Sequence, residues 1–284
     1  MRLCSYSVGD RSSFGLIRDG GVFDLPARLG DRYLSLAEAL EDLESLGQNA
    51  RGDADYALKE VRLLPPIPNC RRIICIGLNY KTHIQETKLA APAYPILFPR
   101  YPDSLVGHGA DLVRPVASEQ FDFEGELAVV IGKPGRNVES RDALGHVAGY
   151  SCFNDGSLRD YQRHTSQFLP GKNFWHSGSF GPCLVTPDET GDITRSKLVT
   201  RLNGAVVQCA TLDDLLFGIA DIIAYVSKIW PIQSGDVIAT GTPGGVGAAR
   251  TPPLWMKAGD LVEVEIEGIG VLANRVVDEG TLQS

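Results

Sequence analysis

The stretch Asp122-Phe123-Glu124-Gly125-Glu126-Leu127 runs straight into Ala128-Val129-Val130-Ile131 and stops at Gly132-Lys133-Pro134-Gly135. A β-branched apolar run closed by a glycine–proline break reads as a short strand ending in a turn. Side chains two apart on a strand point the same way, so Asp122, Glu124 and Glu126 would line one face. Three carboxylates on one face repel one another. That arrangement holds only if they are solvated, parted by a bend at Gly125, or neutralised by a cation. A metal site is the sharp reading, and a solvated acidic edge strand is the plain one.

The rest of the 284-residue chain narrows the choice. It is long enough to bury a sizeable core, and 43% hydrophobic with 22% charged residues is ordinary for a soluble globular protein. Lys and Arg number 27 against 35 Asp and Glu, and the charge of −8 argues against a nucleic-acid or anionic-membrane partner. A small anionic substrate stays open if cations gather locally. The N-terminus lacks the apolar core of a signal peptide and no apolar run approaches membrane-spanning length, so the expected location is cytoplasmic. Cys4, Cys70, Cys75, Cys152, Cys183 and Cys209 show no C-x-x-C spacing, which points to reduced, mostly buried thiols rather than zinc or disulfides.

Residues 1–30 alternate short apolar pieces with Gly and Asp turns, as a β-meander does. Ser35 with Glu38 forms a capping box ahead of Leu36, Leu40, Leu43 and Leu46, with Gly47 placed to end that helix. A proline-rich linker, Leu64-Pro65-Pro66-Ile67-Pro68, sets a boundary between a small N-terminal domain (1–66) and a larger one (67–284). Beyond it, a buried strand ends at Gly77 and leads to His83 and Glu86, which share a face on a helical turn. A carboxylate that orients an imidazole makes a base able to activate water. Arg100 or His108 is placed to meet an anionic group.

A second buried strand, Val147–Phe153, delivers Asp155. If a helical turn begins there, Asp155, Arg159 and Gln162 fall on one face at i, i+4 and i+7. Glu124, Glu126 and Asp155 together would form a hard oxygen-donor set suited to Mg²⁺, Mn²⁺ or Ca²⁺ rather than zinc. Lys172, amid Gly171 and aromatics, is placed to hold a substrate oxygen. No phosphate loop, dinucleotide fingerprint or nucleophile elbow occurs. A helix over about 213–229, a Gly-rich segment Gly235–Gly245 and a strictly alternating strand, Leu261–Glu267, complete the chain.

Together these pieces resemble the fumarylacetoacetate hydrolase superfamily. The matching residues are Gly77-x-Asn79-Tyr80-x-x-His83-x-x-Glu86, Glu124-x-Glu126, Asn154-Asp155 with Arg159 and Gln162, Gly171-Lys172, Thr240-Gly241-Thr242-Pro243, and Gly259-Asp260 through Gly270. They cover about residues 70–280 in family order. The resemblance implies an α+β, mainly β fold, a mixed β-sandwich roll with a small N-terminal α/β domain, and a homodimer. It implies Glu124, Glu126 and Asp155 as ligands of Mg²⁺ or Mn²⁺, His83, Glu86 and Lys172 as catalytic groups, and Arg159, Gln162 and Thr240 on the substrate side. Asn173-Phe174-Trp175-His176 after Lys172, Gly107-His108-Gly109, and Arg100 where a lysine is often found depart from the commoner pattern and suggest an altered acid pocket.

The implied activity is metal-dependent hydrolysis of a carbon–carbon bond in an acylpyruvate-type 2,4-dioxo acid such as maleylpyruvate or fumarylpyruvate, in aromatic-compound breakdown. The alternatives are a decarboxylase or tautomerase of related oxo acids such as oxaloacetate or 2-hydroxymuconate-type dicarboxylates, and a non-catalytic metal- or ligand-binding protein.

Overall fold

The computed structural model describes residues 1–30, 32–82, 84 and 91–281. Among them, 12 strands form one large mixed sheet and five form a second. The large sheet begins with the expected meander, Arg2–Val8, Arg11–Arg18 and Gly21–Asp24. Arg2–Val8 pairs antiparallel with Gly178–Val185, so the meander extends the same sheet that holds the C-terminal part of the chain. The order then runs through Val147–Asn154, Gly125–Ile131, Val237–Ala239, Ile73–Gly77 and Ile96–Arg100.

Gly125–Ile131 sits in the middle and every residue in it is buried. Its side chains divide by parity, as a strand covered on both faces requires. Leu127, Val129 and Ile131 pack into the core shared with Leu198, Val264, Ile266 and Leu272 of the five-stranded sheet. Ala128 and Val130 face the opposite side, toward Cys75, Phe98, Phe153 and Phe180. Glu124 and Glu126 have the parity of that second face, so they emerge beside Phe98 rather than into solvent.

Local departures from sequence expectation have simple causes. The helix expected over 213–229 starts only at Ile219, because Gly218 is extended and residues 212–214 form a separate 3₁₀ turn. Ser35 caps its helix by accepting the Glu38 amide, but the helical run continues through Gly47 to Asn49 in three short pieces. The acidic strand is broken as well: Phe121–Asp122 pairs with Ser157–Leu158 in a separate ribbon, and the main strand starts at Gly125. Asp122 is thereby turned away from Glu124 and Glu126.

Glycines let the segments around the acidic residues approach closely. A Cβ on Gly156 would lie 1.9 Å from the Ser177 carbonyl oxygen. Gly156→Ala is therefore expected to cost about 3 kcal/mol through overpacking, read as a lower urea unfolding midpoint. An unchanged midpoint would mean that the Ser177 backbone gives way freely.

Candidate metal centre and active site

Two adjacent strands place the acidic residues. Gly125 pairs with Asn154 and Glu126 with Phe153, so the residues just outside this ladder, Glu124 and Asp155, meet at its end. The Asp155 amide donates to the Glu124 carbonyl at 2.8 Å, and the Asn154 side chain accepts the Glu124 amide at 3.0 Å. One carboxylate oxygen from each of Glu124, Glu126 and Asp155 lies within 4.8 Å of the others, and all three residues are buried. Asp155 precedes the short helix Arg159–Gln162 instead of starting it, so the strand end and not a helical face aims it at the glutamates.

The expected cations converge on these carboxylates. Lys172 Nζ lies 2.6 Å from Glu124 Oε2 and 2.6 Å from Asp155 Oδ2. The Phe98 ring lies beneath the ammonium, 5.1 Å from its centroid. Arg159 donates to Asp122 Oδ2 at 2.8 Å and to Gln162 Oε1 at 2.9 Å, and its Nη2 forms an ion pair with Glu124 Oε1 at 2.6 Å. Gln162 thus adjoins the site through Arg159. The hydroxyl and amide of Thr240 both donate to the Leu127 carbonyl, and the next residue, Gly241, gives its amide to Glu126 Oε2 at 2.9 Å.

Arg100 has a different task from the anion receptor expected of it. Its side chain is fully buried, and its guanidinium donates to Asp155 Oδ1 at 2.6 Å, the Gly156 carbonyl, the Ser177 hydroxyl and Ser104. Gly178 leaves the room it needs, since a Cβ there would sit 2.6 Å from Nη2. His108 is also occupied elsewhere: its ring accepts the Ala273 amide and lines a groove with Lys59 and Arg62. His176 stacks on the half-exposed Trp175. His83 and Glu86 lie outside the described residues.

The electrostatics of the three carboxylates are unequal. Burial pushes Glu124 up, but Arg159 and Lys172 outweigh it and hold the carboxyl below its usual range. Burial and the neighbouring Asp155 and Glu124 push Glu126 well above it. Lys172 is desolvated, yet Asp155 and Glu124 keep its ammonium above the ordinary value. Four buried carboxyl groups, Asp122 included, face three buried cations, and Glu126 is the one left without a paired cation, so its protonated form is favoured here. Three hard oxygen donors, one of them a carboxyl able to exchange its proton for a cation, fit a divalent ion such as Mg²⁺ or Mn²⁺.

Fold and site together define an enzyme fold of mixed β-sheets with a buried carboxylate centre. The chain belongs to the fumarylacetoacetate hydrolase family, whose fumarylacetoacetate (FAA) hydrolase C-terminal domain matches residues 72–277. It is 43% identical over 265 residues to the mitochondrial oxaloacetate tautomerase FAHD2A of Homo sapiens, covering 91% of this chain and 84% of that one. It is 39% identical over 252 residues to oxaloacetate tautomerase YisK of Bacillus subtilis, covering 87% and 83%. Its structure matches maleylpyruvate hydrolase from Sphingobium sp. SYK-6, in complex with manganese(II) and pyruvate, with a TM-score of 0.82 at 27% identity over 98% of this chain and 99% of that one. The expectation of a carbon–carbon hydrolase stands only at the level of the superfamily; the tautomerase alternative has the stronger support. Among the described residues no helix is long and apolar enough to cross a membrane.

Sequence reasoning missed three supports. They are Phe98 under Lys172, the Gly241 amide on Glu126, and Arg100 behind Asp155. Two of them left a sequence signal: Gly241 lies in a Gly-rich segment whose amides suit an anion, and Arg100 closes an apolar strand. Removing one member of a buried ion pair leaves the other charge uncompensated. Arg100→Met is expected to cost about 3–5 kcal/mol by that mechanism, measured by urea unfolding, with Arg100→Lys losing less. Equal losses in the two variants would rule out charge as the cause.

Proposed function

We propose that this protein is a divalent-metal-dependent tautomerase of oxaloacetate or a closely similar 2-oxo dicarboxylic acid. The observation that carries the reading is the Glu124–Glu126–Asp155 centre, with Lys172 on two of its carboxylates, in a chain 43% identical to an oxaloacetate tautomerase. A divalent cation held there supplies positive charge toward the carboxylate and the C2 oxygen of such an acid. Keto–enol conversion moves one proton off C3 and places one on the C2 oxygen; no water is consumed and no carbon–carbon bond breaks. Lys172 is the group suited to hold a proton at the C2 oxygen, since its ammonium is kept charged at the centre. His83 with Glu86, outside the described residues, is the candidate base toward C3. Arg159 and Gln162 orient the centre from the Asp122 side, and Thr240 from the Gly-rich loop.

The runner-up is hydrolysis of an acylpyruvate, favoured by the structural likeness to maleylpyruvate hydrolase. It needs the same centre and, in addition, an attacking water.

Loss of enol absorbance from enol-oxaloacetate, with Mn²⁺ present, tests the reading. The expected result is rapid ketonisation without pyruvate, abolished by excess chelator. Lys172→Met should lower kcat by about 10²-fold or more, the scale for losing one preorganised donor. Pyruvate and free acid from acetylpyruvate or maleylpyruvate, at a higher kcat/KM than ketonisation, would replace the tautomerase with the hydrolase.

A further inference from the structure

The metal centre accounts for Glu124, Glu126 and Asp155 but not for the fourth buried acid. Asp122 is completely buried and accepts four hydrogen bonds. Oδ1 takes the amides of Phe123 at 2.9 Å and Gly247 at 2.7 Å; Oδ2 takes the Ala248 amide at 3.0 Å and Arg159 Nε at 2.8 Å. The chain invests a close backbone approach in this arrangement, because a Cβ on Gly247 would lie 2.6 Å from Oδ1 and 1.8 Å from the Leu254 carbonyl oxygen. The same carboxylate therefore ties the far end of the Gly-rich loop to the guanidinium that touches Glu124.

We propose that Asp122 is a positioning residue that sets the affinity of the centre for its divalent cation by holding Arg159 and balancing its charge. Arg159 has a fork with two carboxylates in reach. With Nε drawn to Asp122, Nη2 is left to Glu124 Oε1 at a single oxygen, and Nη1 to Gln162. Glu124 Oε2 stays on the side of Lys172 and Asp155, where the cation's donors gather. Without the Asp122 charge, Arg159 carries an uncompensated positive charge one contact away from Glu124. It is then free to close both arms on that carboxylate, and either effect opposes a divalent cation. The inference rests on the metal reading of the site but not on the reaction assigned to it.

Asp122→Asn keeps the shape and one acceptor oxygen, while its amide nitrogen faces the donors of Ala248 and Arg159. The probe is Mn²⁺ alone, titrated calorimetrically into substrate-free protein. Asp122→Asn is expected to raise the Mn²⁺ Kd at least tenfold. Arg159→Gln removes the group through which Asp122 acts, so adding Asp122→Asn to it should change Kd by less than twofold. A merely structural Asp122 would lower the unfolding midpoint yet leave the Kd of the folded protein unchanged, and that result overturns the proposal. Additive effects in the double variant overturn it as well. If Asp122→Asn does not fold, Arg159→Lys tests the link from the other end: a lysine cannot reach Asp122, Glu124 and Gln162 together, so the same loss of Mn²⁺ affinity is expected and an unchanged Kd refutes it. Wild-type protein that takes up no Mn²⁺ overturns the metal reading and this proposal together. Wild-type uptake with unchanged variants overturns this proposal alone.

Discussion

Six buried charges alternate in sign through the site: Asp122, Arg159, Glu124, Lys172, Asp155 and Arg100. Successive contacts are 2.8, 2.6, 2.6, 2.6 and 2.6 Å. Removing one such ion from water costs several kcal/mol even after relaxation. Alternation compensates that cost locally, because each of the four inner members has an opposite charge on both sides. The ends are closed by backbone and hydroxyl groups. Asp122 takes three amides, and Arg100 spends its remaining donors on Ser104, Gly156 and Ser177. Glu126 stands outside the alternation with a backbone amide, Gly241, as its support. The centre is thus a nearly neutral buried array with one extra carboxylate.

Such an array demands convergence from distant parts of the chain. The acids come from residues 122–126 and 155, the cations from 100, 159 and 172, and the closing amides from 241, 247 and 248. What brings them together is strand order. Gly125–Ile131 has Val147–Asn154 on one side and Val237–Ala239 on the other, so both neighbouring strands deliver their polar ends to the same edge. The five-stranded sheet packs behind it through Leu198 and Val264, and Gln208 reaches across from that sheet to the Gly125 amide and to Thr242. The apolar core fixes the strands, and the strands fix the charges.

Much of this was legible in the sequence, for reasons that differ by residue. Glu124-x-Glu126 beside an apolar β-branched run announced a strand end carrying acids, and Lys172 between glycine and aromatics announced a desolvated cation. Register carries such information directly, since side chains two apart share a face. Asp122 shows where that logic stops: the two-residue period puts it beside Glu124, but the break at residues 123–124 and its pairing with residues 157–158 turn it toward Arg159. The anion-receptor reading of Arg100 and the helical-face placement of Asp155 failed for a related reason, although Asp155 does join Glu124 and Glu126 as expected. Whether a charged side chain faces solvent, substrate or a buried partner depends on which strand lies next to it, and pairing between residues 55 positions apart has no local signature. Phe98 under Lys172 was likewise invisible, because its neighbour is set by the sheet and not by the chain.

The charge balance also bears on the kind of molecule the centre accepts. A divalent cation that displaces the Glu126 proton would leave the centre net positive, suited to an acid and poorly suited to a neutral ketone. The three cations Arg100, Arg159 and Lys172 are each held by carboxylates of the protein, so attraction for an anion comes from the centre as a whole and not from a free arginine fork. A 2-oxo dicarboxylate would bring two negative charges to that centre and leave it close to neutral overall. Proton movement between carbon and oxygen within that acid leaves the balance unchanged. Carbon–carbon cleavage would have to separate two anionic fragments inside a water-poor site, which asks more of the same residues. Isomerisation and hydrolysis can therefore share this centre across a family, with the attacking water and its base deciding between them.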